Sequence, residues 1–164
     1  MALPNKILPG FSATLYAQPS STPTAIVPSS LDDYATVSAL AVEGNLVPVE
    51  AIPAFGQDDA VASFGVAGSR QSDKIPVQSA PTSMSITAAW NPSNTVLLLL
   101  RGDAYNGTID RTFVISATDG NNIVNYAFNG RVSQWTIDSA PGAEAKVTFT
   151  IHPRGNQYGW SDND

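Results

Sequence analysis

The sequence predicts a mainly β protein: an antiparallel β-sandwich or partial barrel with one short α-helix, a long loop and extended terminal arms. Three observations carry that expectation. Residues 83–90, 109–117 and 145–151 alternate two sets of side chains at the period of a pleated strand. Charged residues make up only 13% of the chain, too few for exposed helices, which usually carry dense Glu and Lys. Ser, Thr, Asn, Gly, Ala and Pro are abundant instead, as suits strands and ordered loops. At 164 residues the chain is expected to be one domain, 1–164, long enough to bury a core.

In chain order, Met1 to Gly10 holds Leu3, Ile7 and Leu8 between Pro4 and Pro9 and is expected to be an N-terminal arm. Phe11 to Ala17 alternates as a first strand, and Gln18 to Ser30 is a Pro/Ser/Thr loop with a short edge piece at Ala25-Ile26-Val27. Leu31 to Tyr34 reads as a turn opening a strand over Ala35 to Val42, with Val37, Ala39 and Ala41 on one face. Glu43-Gly44-Asn45 breaks it. Leu46 to Phe55 is apolar, but Pro48 and Pro53 remove ladder donors and confine it to an edge or an extended loop. Ala60 to Ala67 reads as a strand, and the polar stretch 68–81 as a long loop or hairpin tip.

Ser83 to Trp90 is expected to be a strand with Met84, Ile86, Ala88 and Trp90 facing inward. Asn91 and Pro92 read as N-cap and first position of a helix over Thr95 to Arg101, stopped by Gly102 or Gly107. A meander of four strands follows: Ile109 to Ala117, Ile123 to Phe128, Arg131 to Ile137 and Ala145 to Ile151. The turn residues 118–122, Asn129-Gly130 and 139–142 separate them. In the third, Ser133, Trp135 and Ile137 are in step. Residues 153–164 form a polar C-terminal arm in which Tyr158 and Trp160 offer large contact area.

The meander resembles the C-terminal half of a bacteriophage major tail tube protein. The likeness rests on Tyr126-Ala127-Phe128-Asn129-Gly130-Arg131-Val132, matching an "F-x-G-x-V" strand after a "DG" hairpin, and on Ala145-Lys146-Val147-Thr148-Phe149-Thr150-Ile151 as a closing strand. The resemblance spans about a third of the chain. It implies a structural subunit of a tail tube in the phage virion, assembled in the host cytoplasm as stacked homohexameric rings through which the DNA genome passes. It also implies tape measure and tail terminator or tip proteins as partners. On that reading Asp32, Asp33, Glu43, Asp58, Asp59, Asp110 and Asp138 are candidate lumen acids. Leu3, Ile7, Leu8, Arg70, Asp73, Lys74, Tyr158 and Trp160 are candidate inter-subunit contacts, since the long loop of such proteins reaches a neighbouring subunit or ring.

Charge and chemistry narrow the alternatives. The net charge is −6, and the first 59 residues carry six acids (Asp32, Asp33, Glu43, Glu50, Asp58, Asp59) against Lys6 alone. No basic run is present, so tight binding to nucleic-acid phosphates is not expected, whereas an acidic wall would repel DNA and keep it from sticking. No segment approaches the ~20 apolar residues of a spanning helix, and the N-terminus is not a signal peptide, so no membrane role is expected. The chain has no cysteine, its one histidine, His152, lacks nearby partners for a triad or zinc site, and no nucleotide-binding glycine pattern occurs. Neither an enzyme nor a cofactor is expected. The competing reading is a carbohydrate-binding β-sandwich with Tyr16, Trp135 and Trp160 as stacking platforms.

Overall fold

A computed structural model describes residues 12–65, 67, 72–118, 120–154 and 159–162. Among these residues, nine strands and two α-helices run in the order β1 (Ser12–Ala17), α1 (Tyr34–Ser38), β2 (Leu46–Val47), β3 (Gln57–Gly65), β4 (Ser72–Pro81), β5 (Met84–Ala89), α2 (Thr95–Asn106), β6 (Arg111–Thr118), β7 (Ile123–Asp138), β8 (Lys146–Pro153) and β9 (Gly159–Asp162). Seven strands form one curled antiparallel sheet in the order β2-β1-β6-β7-β8-β5, with β9 on the flank of β7. β3 and β4 form a two-stranded hairpin of their own.

The curl follows from how the sheet's two ends meet. β2 pairs with β1 through Leu15 and Val47. Two residues on, Val49 bridges to Ala88 of β5, the Glu50 amide donates to the Thr87 carbonyl at 2.9 Å, and the Ala89 amide donates to the Pro48 carbonyl at 2.9 Å. Residues 46–50 therefore touch both ends and draw the sheet into a half-barrel. β2 ends after two residues, at Pro48, which has no amide to donate to a ladder.

The concave face holds the core. Leu15, Met84, Ile86, Ala88, Phe113, Ile115, Phe128, Val147, Phe149 and Ile151 are buried there, as the alternation predicted for β5, β6 and β8. α2 adds Val96, Leu97 and Leu100 to the same cluster. A second, smaller cluster lies on the convex face, where Leu31 and Val37 cover Val114 of β6 and Ala127 of β7.

Six expectations are corrected. Residues 35–42 are not a strand: Tyr34–Ser38 is helical because the Asp33 carboxylate accepts from the Thr36 amide and caps the turn. Asn94, not Asn91, caps α2, its Oδ1 accepting from the amides of Val96 and Leu97, while the Asn91 side chain closes a preceding turn on the Ser93 amide. α2 then runs through Gly102 to a left-handed cap at Gly107 (φ 69°). Asn129-Gly130 does not break the chain: β7 is a single strand of 16 residues, because residues 123–130 pair with β6 and residues 130–138 with β8. The irregularity falls instead at Gln134 (φ 57°), where the β7–β8 register shifts, so Ser133, Trp135 and Ile137 do not share a face in simple step. Ser72–Pro81, within the expected loop, is a strand, and Gly159–Asp162, within the expected free arm, pairs with β7 of its own chain.

Candidate assembly surfaces

Among the described residues, the β3–β4 hairpin pairs with no other strand. Its nine registered pairs run from Gln57↔Pro81 to Gly65↔Ser72, with a bulge at Ala60/Val61. Nine residues at about 3.3 Å each give an arm of roughly 30 Å. Asp58, Ala60, Val61, Ala62, Ser63, Lys74, Pro76 and Ala80 are exposed. Its root is fixed by the Thr82 amide, which donates to the Gly56 carbonyl at 3.0 Å. A two-stranded hairpin buries little apolar surface by itself.

β9 docks by close backbone approach. A Cβ placed on Gly159 would stand 2.3 Å from the Leu31 carbonyl oxygen, so only glycine lets this strand lie against the turn before α1. The Trp160 amide donates to the Asp32 carboxylate at 2.8 Å, and the indole remains 51% exposed. Among the candidate contacts, Trp160 and Lys74 are thus exposed. Leu3, Ile7, Leu8, Arg70 and Tyr158 lie outside the described residues, as does the side chain of Asp73.

The candidate lumen acids are distributed over several elements. Asp32 and Asp33 precede α1, Glu43 opens a 3-10 turn (Glu43–Asn45), Asp58 is at the hairpin root and Asp138 ends β7, all exposed; the Asp59 side chain lies outside the described residues. Asp110 differs. Arg131 donates to its Oδ1 at 2.6 Å and Arg154 to its Oδ2 at 2.8 Å. The Arg131 hydrogen bond, with the charges of both arginines, holds its carboxyl below the ordinary 3.8 against partial desolvation. Hydrogen bonds from Thr36 likewise lower Asp33. Asp138 faces Lys146 across the β7–β8 ladder, and Lys146, ion-paired to Glu50, is raised by that contact.

No catalytic geometry emerges among the described residues. Both nitrogens of His152 are hydrogen-bonded to hydroxyls, Nδ1 to Ser83 at 2.9 Å and Nε2 to Ser133 at 2.6 Å, with no carboxylate among these partners to orient it. No cluster of three or more acidic or histidine groups suited to a metal is present among them. Trp135 stacks on Phe149 at 5.4 Å and meets Trp90 edge-on at 5.9 Å, and Tyr16 packs on the convex-face cluster. Both rings are engaged in packing. No described helix is long and apolar enough to cross a membrane.

No known sequence family and no curated protein matches the chain. Solved structures do match in shape. A chain of the cryo-EM structure of the anti-feeding prophage baseplate, symmetrised six-fold, aligns over 99% of this chain and 97% of its own, with TM-score 0.61 and 9% identity. The SPP1 tail tube, solved by solid-state NMR and cryo-EM, aligns over 90% of this chain and 75% of its own, with TM-score 0.53 and 10% identity. The chain has a tail-tube-like fold. Identities this low establish architecture alone, and the match to the tail tube covers 90% of the chain rather than the third on which the sequence resemblance rested. A type six secretion system protein aligns over 91% of the chain, with TM-score 0.47 and 12% identity. The signals that sequence reading missed are the strand character of 72–81 and the glycine at 159, whose meaning depends on Leu31 lying opposite.

Proposed function

We propose that this protein is a structural subunit of a phage tail tube, assembling as stacked hexameric rings whose lumen conducts DNA. The observation that carries the reading is the β3–β4 hairpin, an arm of roughly 30 Å that pairs only with itself on a body of tail-tube-like fold. Its natural surface is a neighbouring copy. A six-fold ring uses head-to-tail contacts, and its two unlike faces let rings stack into a filament. Joining sheets around the ring removes edge strands that would otherwise aggregate. In the ring, Leu3, Ile7, Leu8, Arg70, Asp73, Lys74, Tyr158 and Trp160 are the proposed contacts. Asp32, Asp33, Glu43, Asp58, Asp59 and Asp138 are the proposed lumen charges that keep DNA from adhering; Asp110, held by two arginines, adds little. Tape measure and terminator or tip proteins are the proposed partners, and the virion tail the proposed location.

Negative-stain electron microscopy of concentrated protein, with a light-scattering mass beside it, tests the reading. Six-membered rings or hollow tubes are expected. A monodisperse monomer that also fails to elongate preformed tubes would overturn it.

A further inference from the structure

The outward face of α2 carries a notch. Val96, Leu97 and Leu100 point into the core, which leaves Leu98, Arg101, Gly102 and Tyr105 on the opposite side at the helical period. Leu98 is 42% and Tyr105 73% exposed, and the Arg101 guanidinium lies 5.5 Å from the centre of the Tyr105 ring. Single exposed apolar residues are ordinary on a protein surface. Here two of them flank a glycine, one turn away on either side.

Gly102 is exposed in the interior of a 12-residue helix, where glycine is the least favourable residue after proline. Nothing in the subunit requires it. Its backbone is helical, and a Cβ placed on it would meet no atom beyond its own stretch of helix within 4 Å. Bare helix backbone between two apolar side chains lets another backbone approach closely.

The β3–β4 hairpin has the matching surface. Among the described residues it pairs with no other strand. It exposes Val61 to 54%, beside the small residues Ala60, Ala62 and Ala80. Its strands carry Asp58, Asp59 and Asp73 against Lys74. On α2 the only charges are Arg101, which faces outward, and Asp103, which is buried against Arg111.

We infer that the β3–β4 hairpin of a second copy lies across α2, its backbone at Gly102 and its apolar residues between Leu98 and Tyr105. The chain's own hairpin is not the occupant, because Leu98 and Tyr105 are exposed with it in place. Small residues on the arm permit the approach, and its excess of acids complements Arg101. The inference rests on the tube reading and supplies the surface that receives its arm.

Gly102→Ala, measured twice, tests the approach. Thermal unfolding of the dissociated subunit is expected to show a melting temperature raised by about 2–4 °C. Sedimentation velocity of the assembling protein is expected to show association weakened about tenfold. A glycine needed only by the subunit would lower stability instead, which would overturn the inference, as would association equal to wild type. A second variant identifies the occupant, since the chain has no cysteine. Ala62→Cys together with Asn106→Cys spares Val61, Leu98 and Tyr105, and a short bis-maleimide is expected to join its copies into covalent multimers. Either single variant is expected to stop at dimers. Normal tubes from the double variant without multimers would overturn the inference and leave the tube reading standing. Failure of wild type to associate at all would overturn both, and the wild-type control separates the two cases.

Discussion

Arg111 shows how much one side chain organises. It is 1% exposed, and its guanidinium donates to both oxygens of Asp103 in α2, one at 2.9 Å, and to the carbonyls of Gln18 and Ser20 in the loop after β1. Helix, strand and loop are thereby tied at one point. Removing the carboxylate charge leaves a buried cation unpaired, so Asp103→Asn is expected to lose about 3–5 kcal/mol of stability in urea titration; a loss under 1 kcal/mol would refute the role. Asp110 sets an acid limit. Its folded pKa is depressed, so its stabilisation is present above the ordinary 3.8 and is lost as pH falls through the depressed value. Wild type is expected to lose stability below about pH 4, and Asp110→Asn to lose less over the same interval. Parallel acid profiles for the two proteins would argue against it. Neither pairing was legible in sequence, because Gln18, Asp103 and Arg111, like Asp110, Arg131 and Arg154, come together only on folding.

At the scale of elements, caps and close approaches decide where the chain turns. Asn94 satisfies two otherwise unpaired amides at the start of α2, and Asn94→Ala is expected to cost about 1 kcal/mol by thermal unfolding. Sequence reading placed this cap three residues early because Asn91-Pro92 carries the same local chemistry; only packing of Val96, Leu97 and Leu100 into the core selects the later start. Residues 35–42 were ambiguous for a related reason. Their small and β-branched residues fit a period of two as well as a helical turn, and the Asp33 cap with Val37 buried on the convex face decided for helix. β9 depends on Gly159. Gly159→Ala forces a Cβ into Leu31 and is expected to cost about 1–3 kcal/mol, with faster hydrogen exchange at Tyr126 and Ala127, the residues it opposes. Unchanged exchange there would mean that β9 contributes nothing to the sheet. Truncation of residues 157–164 would strip β9 from β7.

At the scale of the molecule, the half-barrel carries a hairpin that, among the described residues, forms a sheet of its own. Replacing residues 58–80 with a short glycine-rich link is expected to change the body's unfolding free energy by less than about 1 kcal/mol, because loop length contributes weakly. The same variant is expected to abolish ring or tube formation under the electron microscope. Tubes of normal length from it would remove the hairpin from the assembly contacts.

The sequence alone determined the β class and the inward residues of β5, β6 and β8. These are properties of local periodicity and residue chemistry, readable without knowing what lies across the sheet. The tertiary structure decided the rest. Whether Asn129-Gly130 breaks a strand depends on β6 and β8 claiming successive halves of β7; whether 159–162 is a free arm depends on Leu31 lying opposite Gly159. That Asn125 faces Ser161, 36 positions away in the chain, follows from the β7–β9 pair alone. Pairing between distant segments is set by the closure of the whole sheet, and no local pattern encodes it.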